Sequence, residues 1–403
     1  MTNYDIIVVG GGAAGFFTAI NAAEMNPGLK ILILERGKEV LTKVKVSGGG
    51  RCNVTHAEFI PSELVKSYPR GEKELLGPFH SFMTGDTVAW FEERGIELKT
   101  EEDGRMFPVS DSSESIINCF LGEAERLRIH VLKNHSVRKI SKTEKNWLIG
   151  TSKGDFSAEK LMIASGSNPK MWNLLEKLGH STVSAVPSLF TFNIKDPRIN
   201  GLAGIATSAE VKVEGEKLES QGPLLITHWG MSGPAILKLS AWGARELNAL
   251  NYEFQIKVNW LPGMNSEDIM EQLKERKLSQ ARQKVSKYAQ FELPKRLWQS
   301  LLKAAKIAED EIWADLNKTQ LQELSLQLTE AIFRVNGKST FKEEFVTAGG
   351  IDLKEVNFKT FESRLHQNLF FAGEVLNIDA ITGGFNFQNA WTSGYLAARA
   401  MIS

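Results

Sequence analysis

Apolar positions along the chain fall into three patterns. Ile6-Ile7-Val8-Val9 is a continuous β-branched run, as expected of a strand buried on both faces of a parallel sheet. Glycines follow, Phe16 to Met25 carries helical periodicity up to Pro27-Gly28, and Ile31 to Leu34 is a second buried strand. Strand, turn, helix and strand within about 30 residues make one βαβ unit, with a right-handed crossover. Thr87 to Arg94 and Ser112 to Leu127 predict helices; Ile129 to Leu132, Val137 to Ile140, Trp147 to Ile149 and Leu161 to Ile163 predict strands. Between about 187 and 260 the runs shorten and alternate, as in Ala209 to Val213 and Phe254 to Val258, which predicts a small antiparallel β-unit. From about 265 to 335 the pattern is helical, bounded by Pro262-Gly263 and Asn336-Gly337. Leu369 to Ala372, then Gly373, then a helix from about Asn386 to Ala400 close the chain.

The expected fold is α/β: a Rossmann-type domain built from both chain ends, 1–187 and 346–403. A β domain at 188–262 and a helical domain at 263–345 interrupt it. The 403 residues suit two or three domains. With 48 Lys+Arg against 48 Asp+Glu, the whole-chain charge offers no sign of a nucleic-acid or membrane partner. No apolar run approaches the roughly 20 residues of a membrane span. Two cysteines, Cys52 and Cys119, cannot make a disulfide framework, and the expected setting is the cytoplasm.

Gly10-Gly11-Gly12-Ala13-Ala14-Gly15 places G-x-G-x-x-G between strand and helix. Gly10 permits the turn, Gly12 lets a pyrophosphate approach the backbone, and Gly15 allows close helix–strand packing. The helix N-terminus, opened by Ala13 and Ala14, offers N–H groups to phosphate. Glu35, followed by Arg36, ends the second strand about 20 residues after Gly15, where a carboxylate accepts a ribose hydroxyl; this favours FAD or NAD over NADP. At the other chain end, Gly373-Glu374 follows an apolar strand, and Thr382-Gly383-Gly384-Phe385-Asn386 opens a helix. An acid there suits the ribitol of a flavin, and a helix N-terminus suits its reduced ring. Taken alone, that stretch is equally a glycine-capped strand–turn–helix. Ser47-Gly48-Gly49-Gly50-Arg51-Cys52-Asn53 is a third glycine-rich loop, suited to a phosphate or flavin edge. Cys52 has no nearby second cysteine and reads as a small packed residue rather than a nucleophile. No metal-ligand spacing is present.

Together these stretches, with Gly104 to Pro108, Leu225 to Pro234 and Thr347 to Ile351, resemble the YhiN-like (BaiN/RdsA) family of NAD(P)/FAD-dependent oxidoreductases. The resemblance runs in order over nearly the full chain, and S-G-G-G-R-C-N and T-G-G-F-N are its most specific parts. It implies a glutathione-reductase-like FAD domain with an inserted β-barrel-like and helical domain. It also implies FAD contacts at Gly10 to Gly15, Glu35, Lys43, Ser47 to Asn53, Ala164-Ser165-Gly166, and Gly373-Glu374 through Asn386, with Val137 on the adenine side. Ser165 stands where threonine is common, and Asn377 where aspartate is usual. Activities implied by the family include reducing a C=C bond conjugated to a carbonyl, in a steroid acid or in a uridine of ribosomal RNA. Oxidation of an amino ketone is also implied.

No second G-x-G-x-x-G follows another strand, so NAD(P)H is expected as a transient co-substrate rather than a ligand of its own domain. Reduction of uridine in ribosomal RNA is the leading expectation. The alternatives are a flavin oxidase of a small amine or amino ketone, and an RNA-binding or assembly protein with structural FAD. His228 is the expected proton donor and Arg51 the group that polarises a carbonyl; a hydrogen-bonded structural histidine is the competing account of His228. Asp103 and Arg105 line the cleft or pair at a turn. Between Gln272 and Lys306 ten Lys/Arg face Glu275 and Glu292 alone, a local charge of +8 (10 − 2). Tyr288, Phe291 and Trp298 lie among them, so the Lys274–Lys306 segment is expected either to contact RNA or to be a solvated helix face.

Overall fold

The computed structural model describes residues 2–339 and 346–403. They form two compact units, Met1–Val186 with Lys342–Ser403, and Pro187–Phe341. The expected boundary at 345/346 touches residues 340–345, which lie outside the described ones.

The first unit is built on β1 (Thr2–Val9), α1 (Ala13–Met25), β2 (Ile31–Leu34), β3 (His130–Leu132) and β4 (Gly154–Ile163). The closing strand Leu369–Phe371, β4, β1, β2 and β3 lie side by side in that order, all parallel. Ile6, Ile7, Val8, Leu32 and Ile33 have no exposed surface, which is why these runs are apolar without alternation. The closing helix Phe385–Ile402 packs on α1 at Gly394, where an added Cβ would meet the Thr18 hydroxyl at 2.9 Å. Phe17, Trp391, Phe91 and Phe120 form an aromatic core beneath these helices.

The second unit carries a seven-stranded antiparallel sheet. The two ends of its pairing path, Ala331–Asn336 and Lys338–Ser339, are separated in sequence by Gly337 alone. The sheet therefore curls until its edges meet, a barrel-like layout. Helices Ser266–Ser279, Lys295–Ala304 and Lys318–Thr329 share its core: Leu273, Trp298 and Leu324 belong to the same buried cluster as Ile256 and Phe333. The helical pattern expected to 335 stops earlier. Ala331–Asn336 is a strand paired with Glu253–Asn259, and its strict buried–exposed alternation is the period-2 signal inside an otherwise helical stretch. Residues 280–294 are not helical, and Pro234–Trp242 is a helix within the expected β stretch.

Candidate functional site

Four adjacent parallel strands end at expected site residues: β1 at Gly10, β2 at Glu35, β4 at Ala164-Ser165-Gly166, and the closing strand at Gly373-Glu374. Open α/β sheets bind ligands at this carboxyl edge. Gly10 has φ +119°, and a Cβ there would lie 2.3 Å from the Ala164 carbonyl oxygen. A Cβ on Gly15 would lie 2.0 Å from the carbonyl oxygen of Gly10. Both glycines are demanded by packing. Gly12 differs: a Cβ there meets nothing within 4 Å. It caps α1 without a side-chain hydrogen bond, so the first-turn N–H groups face open space. That space at a helix N-terminus is the cradle a pyrophosphate requires.

Glu35 binds the loop through both oxygens, accepting from Gly11 N–H at 2.9 Å and Gly37 N–H at 2.6 Å. Each oxygen keeps a lone pair for a ribose hydroxyl. The Glu35 backbone pairs with Leu132 and His135, placing the turn that leads to Val137 beside it. Val137 is half-buried and Arg36 exposed. Lys43 Nζ reaches Glu374 Oε2 at 2.5 Å, and a Cβ on Gly166 would come within 3.8 Å of the same oxygen. A Cβ on Gly373 would meet Ala14 at 3.2 Å. Elements far apart in sequence thus converge on one edge, and these residues suit FAD.

The Ser47–Asn53 loop leaves helix Thr42–Gly50 through left-handed Gly48, Gly49 and Gly50. Its Asn53 is buried; with the amide oriented by its partners, it donates to the carbonyls of Thr55 and Met106 and accepts from Gly384 N–H at 2.9 Å. A Cβ on Gly384 would lie 2.5 Å from the Thr55 carbonyl oxygen, so this junction excludes any larger residue. Asn386 closes the 380–386 loop on both backbone groups of Ala380, and Thr382 stands exposed at its tip. Tyr68 donates to the Phe385 carbonyl at 2.6 Å, and Arg70 pairs with the fully buried Asp379. Cys52 is fully buried; desolvation pushes its thiol up to about 12, against a smaller pull from Ser47, so it is no thiolate at neutral pH.

Arg51 is engaged by the protein itself. Its Nη1 lies 2.5 Å from Glu101 and 3.5 Å from Asp111, and its guanidinium stacks 3.9 Å from the Phe107 ring centre. Asp103 and Arg105 pair at 2.8 Å; burial raises the Asp103 carboxyl, but the hydrogen bonds and charge of Arg105 outweigh it and hold it below its ordinary value. His228 belongs to the second unit. It is exposed beside Trp229 on a turn whose Thr227 hydroxyl accepts from the N–H groups of Trp229 and Gly230. His56, unnoticed in the sequence, sits at the junction: its Nδ1 is 3.1 Å from the Gly383 carbonyl, and its ring stacks on Phe385 at 4.4 Å. Since a carbonyl only accepts, Nδ1 donates and Nε2 is left for a proton. A histidine three residues beyond a glycine-rich loop was the available signal. Among the described residues no His, Cys, Asp and Glu cluster could hold a metal, and no helix is long and apolar enough to cross a membrane.

A family model described as the HI0933-like protein Rossmann domain matches residues 4–400. A ribosomal RNA dihydrouridine synthase of Escherichia coli is 28% identical over 415 aligned residues, covering 100% of this chain and 99% of the relative. A 3-dehydro-bile acid delta(4,6)-reductase of Clostridium scindens is 27% identical over 98% of each chain. Among solved structures, a 3-ketosteroid-delta4-(5alpha)-dehydrogenase from Rhodococcus jostii aligns with a TM-score of 0.52 at 12% identity, covering 98% of this chain and 97% of that one. That likeness is one of fold. A family match over almost every residue, on a sheet edge shaped for a dinucleotide, places this chain in the HI0933-like Rossmann family of FAD-dependent oxidoreductases.

Proposed function

We propose that the protein uses NAD(P)H electrons to saturate a C=C bond conjugated to a carbonyl, with uridine in ribosomal RNA as its substrate. The observation that carries the cofactor half is the open face of Gly12 among four strand ends, with Glu35 and Glu374 flanking it. The substrate half is supported by full-length similarity to a ribosomal RNA dihydrouridine synthase. FAD, when bound, supplies the hydride chemistry. The chain's own residues bind and orient: Glu35 takes a ribose hydroxyl, the α1 N-terminus the pyrophosphate, and Glu374, held by Lys43, the ribitol. The closing-helix N-terminus adds partial positive charge beside Asn53. Arg51, tied to Glu101, holds the Ser47–Asn53 loop, and a histidine, His228 or His56, delivers the proton.

Anaerobic mixing of the yellow protein with NADH or NADPH tests the reading. Rapid bleaching is expected, followed by dihydrouridine in ribosomal RNA that lacks it. No bleaching, with peroxide formed from aminoacetone in air, overturns the reductase; bleaching without any change in RNA overturns the uridine assignment. Turnover of an unsaturated steroid acid instead would place the chain with its bile-acid relative.

A further inference from the structure

The second unit carries a charged cleft that the FAD chemistry does not use. Of the ten cations between Gln272 and Lys306, eight are exposed, and among the described residues none pairs with a carboxylate. Three are occupied elsewhere: Arg276 stacks on Phe291, Lys277 donates to the Leu316 carbonyl, and Arg296 donates to that of Gly201. Lys284, Lys287 and Lys295 instead line one open cleft of about 490 Å³.

Local structure explains why they meet. A turn at 284–287 is tied to 309–312: Lys284 bridges Ile312, Val285 N–H donates to the Glu311 carbonyl, and the Ser286 hydroxyl donates to that of Glu309. Val285 turns into the core, leaving Lys284 and Lys287 exposed. Lys295 begins the helix Lys295–Ala304, whose Leu297, Trp298, Leu301 and Leu302 are buried and whose Lys295 is therefore directed outward. Of the aromatics in the segment, Trp298 is buried and Phe291 half-buried, whereas Tyr288 is 54% exposed with the Lys287 ammonium 5.0 Å from its ring centre.

We infer that this cleft docks the backbone of a single-stranded RNA segment, with lysines on phosphates and a base stacked on Tyr288. The inference rests on RNA being the substrate. Glu309 and Asp310 also line the cleft, so the +8 of the linear segment is partly offset in space. Carboxylates repel a plain polyanion or an anionic membrane, but they accept hydrogen bonds from the amino groups of splayed bases. A cleft with both signs, whose Lys287 lies against the exposed ring of Tyr288 outside the lining, matches a nucleotide chain better than a bare anionic surface.

The test uses the full-length, FAD-loaded protein and a fluorescein-labelled short single-stranded RNA, with anisotropy read across a salt series. Lys284→Glu with Lys287→Glu and Lys295→Glu should weaken binding at least tenfold and flatten the log–log salt slope by about 2, at about 0.7 per lost contact. Tyr288→Ala should weaken binding by about 5- to 150-fold with the slope unchanged. Matching melting temperatures and flavin absorbance show that the variants are folded, and Lys→Gln versions should lose less. If wild-type protein binds RNA but the triple variant binds it equally, with the same slope, the cleft assignment is overturned and the proposed function stands. Equal affinity for heparin, or for vesicles of anionic lipid, also overturns it. If wild-type protein binds no RNA at all, the substrate reading falls and this inference with it.

Discussion

Two glycines two positions apart do different work. Gly10 is required by the fold, because its φ of +119° and the Ala164 carbonyl leave no room for a side chain; Gly12 has room and faces the space a phosphate needs. Gly12→Val is therefore expected to keep its secondary structure and apoprotein melting temperature but to purify without flavin. Gly10→Ala should fail to accumulate as folded protein. Circular dichroism and the flavin-to-protein absorbance ratio read both, and undiminished FAD in Gly12→Val would refute the loop. The proton donor is decided at the same scale. His56→Gln and His228→Gln, compared in turnover, separate the two histidines: loss of the donor lowers turnover by about 10²–10⁴-fold. The other substitution leaves turnover close to that of the unsubstituted protein. His228 was readable as a candidate from its place in Thr227-His228-Trp229-Gly230; His56 offered only its place three residues beyond a glycine-rich loop, and nothing local indicates that it stacks on Phe385, more than 300 residues away.

The closing helix shows how an element is fixed against the rest of its unit. Gln388 is fully buried; its Oε1 accepts from the hydroxyls of Thr55 (2.6 Å) and Thr87 (3.0 Å), and its Nε2 donates to Thr392 (3.1 Å). Gln388→Leu leaves two buried hydroxyls without an acceptor, at about 1–3 kcal/mol for each unsatisfied group. A lower urea midpoint at unchanged m-value is the expected result. Arg70→Leu should cost about 3–5 kcal/mol, because it removes the guanidinium that pairs with the buried Asp379 carboxylate; denaturant titration measures this too, and a loss under 1 kcal/mol would show that the pair does not hold this loop. Helix periodicity located the closing helix to within a residue of its start at Phe385. It did not separate Ala331–Asn336 from the helices before it, since a six-residue strand is set by its pairing with Glu253–Asn259 rather than by its own propensity.

At the scale of the whole molecule, acid stability depends on a buried histidine. His180 lies 2.8 Å from Glu355 and 3.1 Å from the Ser363 hydroxyl. Burial holds its imidazole below the ordinary value, although Glu355 pulls the other way. Glu355 is itself held low: burial raises it, but hydrogen bonds from Ser181 and His180 outweigh that. Both folded values are depressed, so the unfolded chain binds protons more readily and stability is lost as pH falls. The loss should begin below about 6.5, the ordinary imidazole value, and steepen below about 4.5 as Glu355 joins. Thermal melts between pH 4 and 8 should show both limbs, and His180→Gln should flatten the first; an unchanged slope would remove His180 from the account.

The sequence by itself determined the βαβ unit, the three glycine-rich loops and the existence of a basic segment, because hydrophobic period, turn chemistry and charge density are properties of neighbouring residues. Only the tertiary structure decided that Arg51 is held by Glu101, that Asn53 joins Gly384, and that Glu309 and Asp310 sit among the lysines of the insert. The reason is physical. An ion pair or a buried amide has no preferred sequence separation, so its partner is set by which chain segments the hydrophobic cores bring together.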